Sequence, residues 1–413
     1  MHAMRTGRAL AALALVLTAS ACPSDPPANS GTELLIAVNA PFSDDPAVAE
    51  MILNGAELAA REVNDGGGID AGGTRFTLRI GRYDSAHSPR KALDNVRRAI
   101  EDGAIAIVDE GTGLDATWTE AARAQIPICV VYQGGIGMVD PEARPNVFRI
   151  APTDHGIAFR YAEYLVPKGL KVALVHDDSD YGQQGRRAFD EAFGHVPEAI
   201  AARVTVPAAS ADIAPQVLEA RRAGATALLV WGRSTTVVEV LRAARDSAWN
   251  VPVYTAPSGE DPLVRQRLAE HPDWLDGLVF ASGRMTAEVG PEPFLAFQSA
   301  YHEAFGRQEV GVETSAGEPV IQPPDYAMYA YDFVKVLAAA IELARGTGRT
   351  AVLDALEQVD VAGANGDERG FNEINHEGVV DDDVYFAVIR DMTYRPVQDD
   401  PLSSTLDVID QTP

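Results

Sequence analysis

Short apolar, β-branched runs alternate with longer stretches of helical spacing along most of the chain. Residues 34–38 (Leu-Leu-Ile-Ala-Val) predict a strand. Residues 47–64 carry Met51, Leu58 and Val63 at helical spacing, and Asp65-Gly66-Gly67-Gly68 stops them. Residues 76–80 alternate as a second strand, 89–101 predict a helix ended by Gly103, and 104–108 predict a third strand. A helix over 117–124 and a strand over 126–131 follow. A second series begins after Pro152: helix 157–165, strand 172–175, helix 183–193, strand 203–206, helix 213–223, strand 227–230, helix 236–246 and strand 251–254. Past the run 278–281 come two long helical stretches, 293–305 and 326–344, and a last strand over 384–389. Residues 310–324 are rich in Gly and Pro and read as a loop. This rhythm predicts an α/β fold with two doubly wound parallel-sheet lobes, and a ligand cleft where the carboxyl ends of their strands meet.

The N-terminus sets the compartment. Arg5 and Arg8 precede the apolar run 9–17, and Ala19-Ser20-Ala21 lead to Cys22. That is the order of a secretory signal, too short for a permanent span. The small residues before a cysteine resemble a bacterial lipobox, with Ala19 in place of the usual leucine. The expected organisation is a signal over 1–21, lipidation at Cys22 and a tether over 22–32, where Pro, Ser, Gly and Asn build no core. An ordinary signal cut near Ala21 is the other reading.

The net charge of −26, nearer −28 without Arg5 and Arg8, repels nucleic acid and anionic lipid, so neither is expected as a partner. Membrane association is expected through the lipid alone. Cys129 sits in the apolar run Ile126-Pro127-Ile128-Cys129-Val130-Val131 and reads as a small buried hydrophobe.

With that organisation in place, the motifs resemble one family. Asn54-Gly55 opens the first long helix, and Asn64-Asp65-Gly66-Gly67-Gly68-Ile69 closes it. Pro41-Phe42-Ser43, Tyr83-Asp84-Ser85, 147–152 (Val-Phe-Arg-Ile-Ala-Pro), Asp180-Tyr181-Gly182 and Ala330-Tyr331-Asp332 follow in order. Together they are similar to type I periplasmic binding proteins of the leucine/isoleucine/valine-binding family, the receptors of amino-acid ABC importers. The resemblance implies a three-strand hinge, with one lobe over 34–152 plus 281–373 and the other over 153–280 plus 374–392. The acidic segment 393–413 then reads as a mobile tail. It also implies a small amino-acid-like solute, ABC permease partners, no cofactor and a monomer.

On that resemblance the ligand-binding candidates are Gly111, Thr112, Tyr132, Gln133, Gly134, Tyr181, Arg233, Ser258 and Glu260. The Gly111 and Gly134 loops would offer backbone N–H groups to a carboxylate. Tyr132, Gln133 and Tyr181 would be ligand contacts. Arg233 would fork onto an acidic group or lie on the surface. Relatives place the acidic partner of the ligand ammonium where this chain has Ser258, with Glu260 and Asp261 just beyond, so the amine contact departs from the pattern. Asp177, Asp178 and Asp180 lack the spaced ligand series of a calcium loop and read as a solvated turn. His302-Glu303 and His376-Glu377 lack a second histidine four residues after the first, and neither a Gly-x-Ser-x-Gly elbow nor a phosphate loop occurs. The chain therefore reads as a binding protein rather than an enzyme, for import or, with the same architecture, for sensing; a periplasmic hydrolase is the remoter alternative.

Overall fold

The computed structural model describes residues 32–208, 212–282, 292–379 and 384–405. The signal, the tether, Cys22 and residues 406–413 of the acidic tail lie outside the described residues.

The first sheet is built from β1 (Thr32–Ala40), β2 (Ile69–Ala71), β3 (Thr74–Asp84), β4 (Ala106–Asp109), β5 (Ile128–Val130) and β6 (Val147–Arg149). Helices α1 (Pro46–Asp65), α2 (Pro89–Glu101) and α3 (Leu114–Arg123) connect its strands. The order is β2-β3-β1-β4-β5-β6, parallel except for the β2–β3 hairpin. β4, β5 and β6 are buried along their whole length, which is why they read as unbroken apolar runs.

The chain then runs through α4 (Asp154–Leu165), β7 (Val172–Asp177), α5 (Asp180–Ala192), β8 (Ile200–Val206), α6 (Ala214–Arg222) and β9 (Ala227–Trp231). It continues with α7 (Ser234–Asp246), β10 (Val253–Thr255), α8 (Pro262–Arg267), α9 (Pro272–Leu275) and β11 (Val279–Ser282). Next come α10 (Glu292–Phe305), β12 (Gln308–Glu313), β13 (Pro319–Gln322), α11 (Asp325–Ala344), α12 (Arg349–Leu356), β14 (Asp360–Ala362) and β15 (Glu368–Gly370). β16 (Tyr385–Arg390) and β17 (Thr393–Pro396) close the second sheet, whose order is β17-β16-β11-β10-β9-β7-β8. β16 runs antiparallel to both of its neighbours, β11 and β17, and the other pairings are parallel.

In each sheet the winding direction reverses once, beside β1 and β4 in the first and beside β7 and β9 in the second. Loops leaving strands at such a reversal splay apart and leave a crevice. α1 and α11 close the back of the first lobe at very short range. A Cβ on Gly55 would lie 1.9 Å from the Ala327 carbonyl oxygen, so only glycine allows the approach.

Three expectations need correction. Residues 310–324 are not a loop but the greater part of the β12–β13 hairpin, whose Val310, Val312 and Val320 enter the core beneath α6, α7 and α8. Although α10 and α11 belong to the first lobe, the hairpin between them packs on the second. Residues 374–379 stay with the first lobe: His376 stacks on Phe148 at 4.1 Å and bonds the Val147 carbonyl at 2.9 Å. Arg149 meanwhile donates to Glu377 at 2.7 Å. The tail is ordered from 393 to 405, because β17 completes the sheet, Tyr394 is buried, and Asp400 receives the Arg160 guanidinium at 3.0 Å.

Candidate functional site

The two reversals face each other across a cleft of about 790 Å³. Six helices bring their first residues to it: α1, α2, α3, α5, α7 and α8. Such ends carry partial positive charge and unpaired N–H groups. The chain answers with carboxylates of its own. Asp45 caps α1 by accepting from the Val48 N–H at 3.4 Å, Asp261 caps α8 through the Leu263 N–H at 2.7 Å, and Asp180 opens α5. Asp45 comes from the first lobe and Asp261 from the second. Burial, then the charge of Asp45, push Asp261 up to about 6. Burial likewise raises Asp45. Two carboxylates that repel each other across a gap favour a cation between them.

The second-lobe wall is held by Asp177, fully buried at the end of β7 rather than part of a solvated turn. It accepts from the Ser179 N–H at 3.2 Å, the Arg233 N–H at 3.0 Å and the Thr236 hydroxyl at 2.9 Å. One carboxylate thus ties the starts of α5 and α7 together and sets where Tyr181 and Arg233 stand. Tyr181 lies on Trp231 with centroids 5.5 Å apart, and Tyr132 meets Tyr326 edge-on at 5.0 Å. Arg233 is exposed to the cleft, and its guanidinium makes no ion pair among the described residues.

Of the nine ligand-binding candidates, Gly111, Thr112, Tyr132, Gln133, Tyr181, Arg233 and Ser258 line this cleft. Gly134 and Glu260 line a smaller cavity behind it, which Tyr132 and Tyr181 also border. The Gly111 loop differs from expectation in its chemistry. The Gly111 N–H donates to Asp109 at 2.7 Å and the Thr112 N–H to Glu110 at 3.1 Å, so neither is free for a ligand. Gln133 Nε2 donates to Glu110 at 2.9 Å and to the Thr112 hydroxyl at 3.2 Å. Gly111 has φ +121°, and a Cβ there would sit 2.6 Å from that of Gln133, so the loop closes only over glycine. The Ser258 hydroxyl donates to the Gly232 carbonyl at 2.6 Å, leaving it an acceptor toward the cleft.

Asp45 was missed by the sequence reading. Its signal was present in Asp44-Asp45-Pro46, an aspartate directly before a proline that opens a helix after the first strand. His87 was missed too. It bonds Asp44 at 2.6 Å and lies 3.8 Å from Glu110, holding the first-lobe rim together.

The profile of the periplasmic binding protein family matches residues 34–393. The chain belongs to that family. Its architecture is that of the type I periplasmic binding proteins. Among curated proteins it is similar to Leu/Ile/Val-binding protein homolog 1 of Brucella melitensis biotype 1, 27% identical over 164 residues. That match spans 37% of this chain and 41% of the relative. The fold resembles that of a type 1 periplasmic binding protein from Bordetella pertussis Tohama I. The TM-score is 0.77 and the identity 20%, over 88% of this chain and 100% of that one. It also resembles the branched-chain amino acid transporter substrate binding protein LivJ from Streptococcus pneumoniae, solved with isoleucine. There the TM-score is 0.73 and the identity 19%, over 88% and 98% of the two chains. No helix among the described residues is long and apolar enough to cross a membrane.

Proposed function

We propose that this protein captures an amino-acid-like solute outside the cytoplasm and hands it to the permease of an ABC importer, as a monomer lipid-anchored through Cys22. The pairing of Asp45 and Asp261 across the cleft carries the reading. An ammonium group between them relieves their repulsion only when the lobes are closed, so the ligand favours the closed form by differential affinity. The solute carboxylate then faces the N-termini of α5 and α7 and the Arg233 guanidinium, the cleft's only arginine or lysine among the described residues. Tyr132 and Tyr181 supply the apolar walls. The solute names of the relatives, Leu/Ile/Val and isoleucine, support an amino acid as the first class to try.

The experiment is a melting-temperature panel of amino acids, dicarboxylates, amides and small peptides. A solute at about 100 times its dissociation constant adds about 2.7 kcal/mol, a shift of several degrees. A shift confined to α-amino acids is expected, and Arg233→Ala should weaken that ligand by at least about tenfold, the scale of one charged hydrogen bond. Unchanged affinity in Arg233→Ala would remove the carboxylate role. A panel in which no amino acid shifts the melt would count against the ligand class.

A further inference from the structure

Tyr132 and Tyr181, which line the cleft, also border a second cavity of about 40 Å³. A water molecule needs about 10–15 Å³ on the same measure, so the space takes a small group and not a whole solute. Asp154, Glu260 and Asp325, three buried carboxyls, line it. Among the described residues no N–H or O–H donor reaches Asp154 Oδ2 or Glu260 Oε1. Asp325 interacts with Glu260 on the same wall. The nearest guanidinium to Asp154 is that of Arg149, already donating to Glu377 at 2.7 Å. Arg265, whose charge reaches Glu260, gives its two terminal nitrogens to Gln322 and to the Met392 carbonyl, while its Nε–H has no partner among the described residues. Gly134 completes the wall: a Cβ there would lie 2.5 Å from Asp154 Oδ1.

A buried acceptor with no donor costs more than a solvated one, and the usual resolution is a group that brings donors. Among the described residues no three acidic, histidine or cysteine side chains converge as a metal ion requires. A compact cation that donates hydrogen bonds would supply both the donors and the charge that these two oxygens lack. We propose that this cavity is a subsite for a terminal primary ammonium group, carried by the free ion or by the far end of a solute seated in the cleft. The inference rests on the cleft being the solute site and narrows the solute to an ω-amino compound. An α-ammonium does not suit the cavity, because it would bring its own carboxylate against Asp154 and Glu260. An ammonium at the end of a methylene chain meets no such repulsion, and Tyr132 and Tyr181, common to both linings, are the residues its methylenes would pack against.

L-Lysine and L-norleucine test this, since they differ only in the terminal amine. Calorimetric titration of the purified protein should show lysine binding at least tenfold more tightly than norleucine. Asp154→Asn and Glu260→Gln should each shrink that ratio to within twofold and leave norleucine unchanged. Both variants keep the side-chain shape and remove a buried charge, so melting of the free variants at pH 8 should occur at or above the wild-type temperature. Ammonium chloride, compared with sodium chloride at equal concentration, separates the two sources. A melt raised by ammonium in the wild type but in neither variant assigns the subsite to the free ion. Equal affinity for lysine and norleucine without an ammonium effect overturns the subsite and leaves the cleft reading standing. A lysine preference that survives in both variants also overturns it. Absence of binding by lysine, norleucine and ammonium alike overturns the subsite, and the melting panel then decides the cleft reading separately.

Discussion

Asp261 serves the fold and the cleft with one side chain. Its carboxylate caps α8 at 2.7 Å and at the same time feels Asp45 across the gap between the lobes. Asparagine caps helices as well as aspartate does, so Asp261→Asn separates the two duties. The free variant should melt within a degree or two of wild type, since the cap survives and a repulsive buried charge is gone. The affinity for an amine-bearing solute should fall by about 10- to 100-fold, the range of a hydrogen bond to a charged group. Calorimetry beside a melting curve checks both halves, and an unchanged affinity would mean that Asp261 is a cap and nothing more. Asp177 stands in contrast. It reaches no solute in this geometry and acts by holding α5 and α7, so Asp177→Asn should disturb stability and affinity together.

Elements were legible in the sequence where burial is continuous and illegible where it depends on a distant partner. β4, β7 and β9 are covered on both faces and so appear as apolar runs; α1 shows its buried side as a periodic stripe. The β12–β13 hairpin has a correct alternation, Val310 and Val312 inward, but only over a few residues between glycines and prolines. Nothing local says that its core lies in the lobe to which α10 and α11 do not belong. The same holds for the site. Tyr181 and Gly111 could be found because motifs mark them, whereas the seclusion of Asp154 and Glu260 exists only once the lobes are assembled. Two element-scale outcomes follow from the packing. Gly55→Ala forces a Cβ into the Ala327 carbonyl and must push α1 off α11, costing about 2–3 kcal/mol and lowering the melting temperature by several degrees. Val312→Asp places a charge in the second-lobe core and should detach the hairpin, read as new proteolysis within 308–322. A hairpin that stays resistant in that variant would show its packing to be dispensable.

For the molecule as a whole, the buried carboxyls set a pH dependence of definite sign. Burial raises Asp109 and Asp154 to about 7 and Asp332 to about 6, and Asp261 reaches about 6 with Asp45 assisting. Unfolded, each titrates near 4. Between about pH 4 and 7 these carboxyls hold more protons folded than unfolded, so their contribution to stability falls as pH rises through that window. His176 and His302, pushed down by burial, oppose it below about pH 6.5. Asp84 and Asp399 are shifted the other way, Asp399 chiefly by Lys168, and their contribution fades only below about pH 4. The formal charge of −26 adds repulsion in the same direction as the buried groups, but salt screens it and leaves them largely untouched. Melting at pH 5.5, 6.5, 7.5 and 8.5, in low salt and in 0.5 M sodium chloride (about 4 Å screening length), separates the two. The melting temperature should drop from pH 5.5 to 7.5 and level off toward pH 8.5 in both, and Asp154→Asn should flatten the slope in high salt. A melting temperature that climbs from pH 5.5 to 8.5 would mean these carboxyls are charged and partnered in the folded protein. Saturating a solute that brings its own ammonium to the cleft should flatten the slope as well, because the cation then holds the carboxylates in their ionised form.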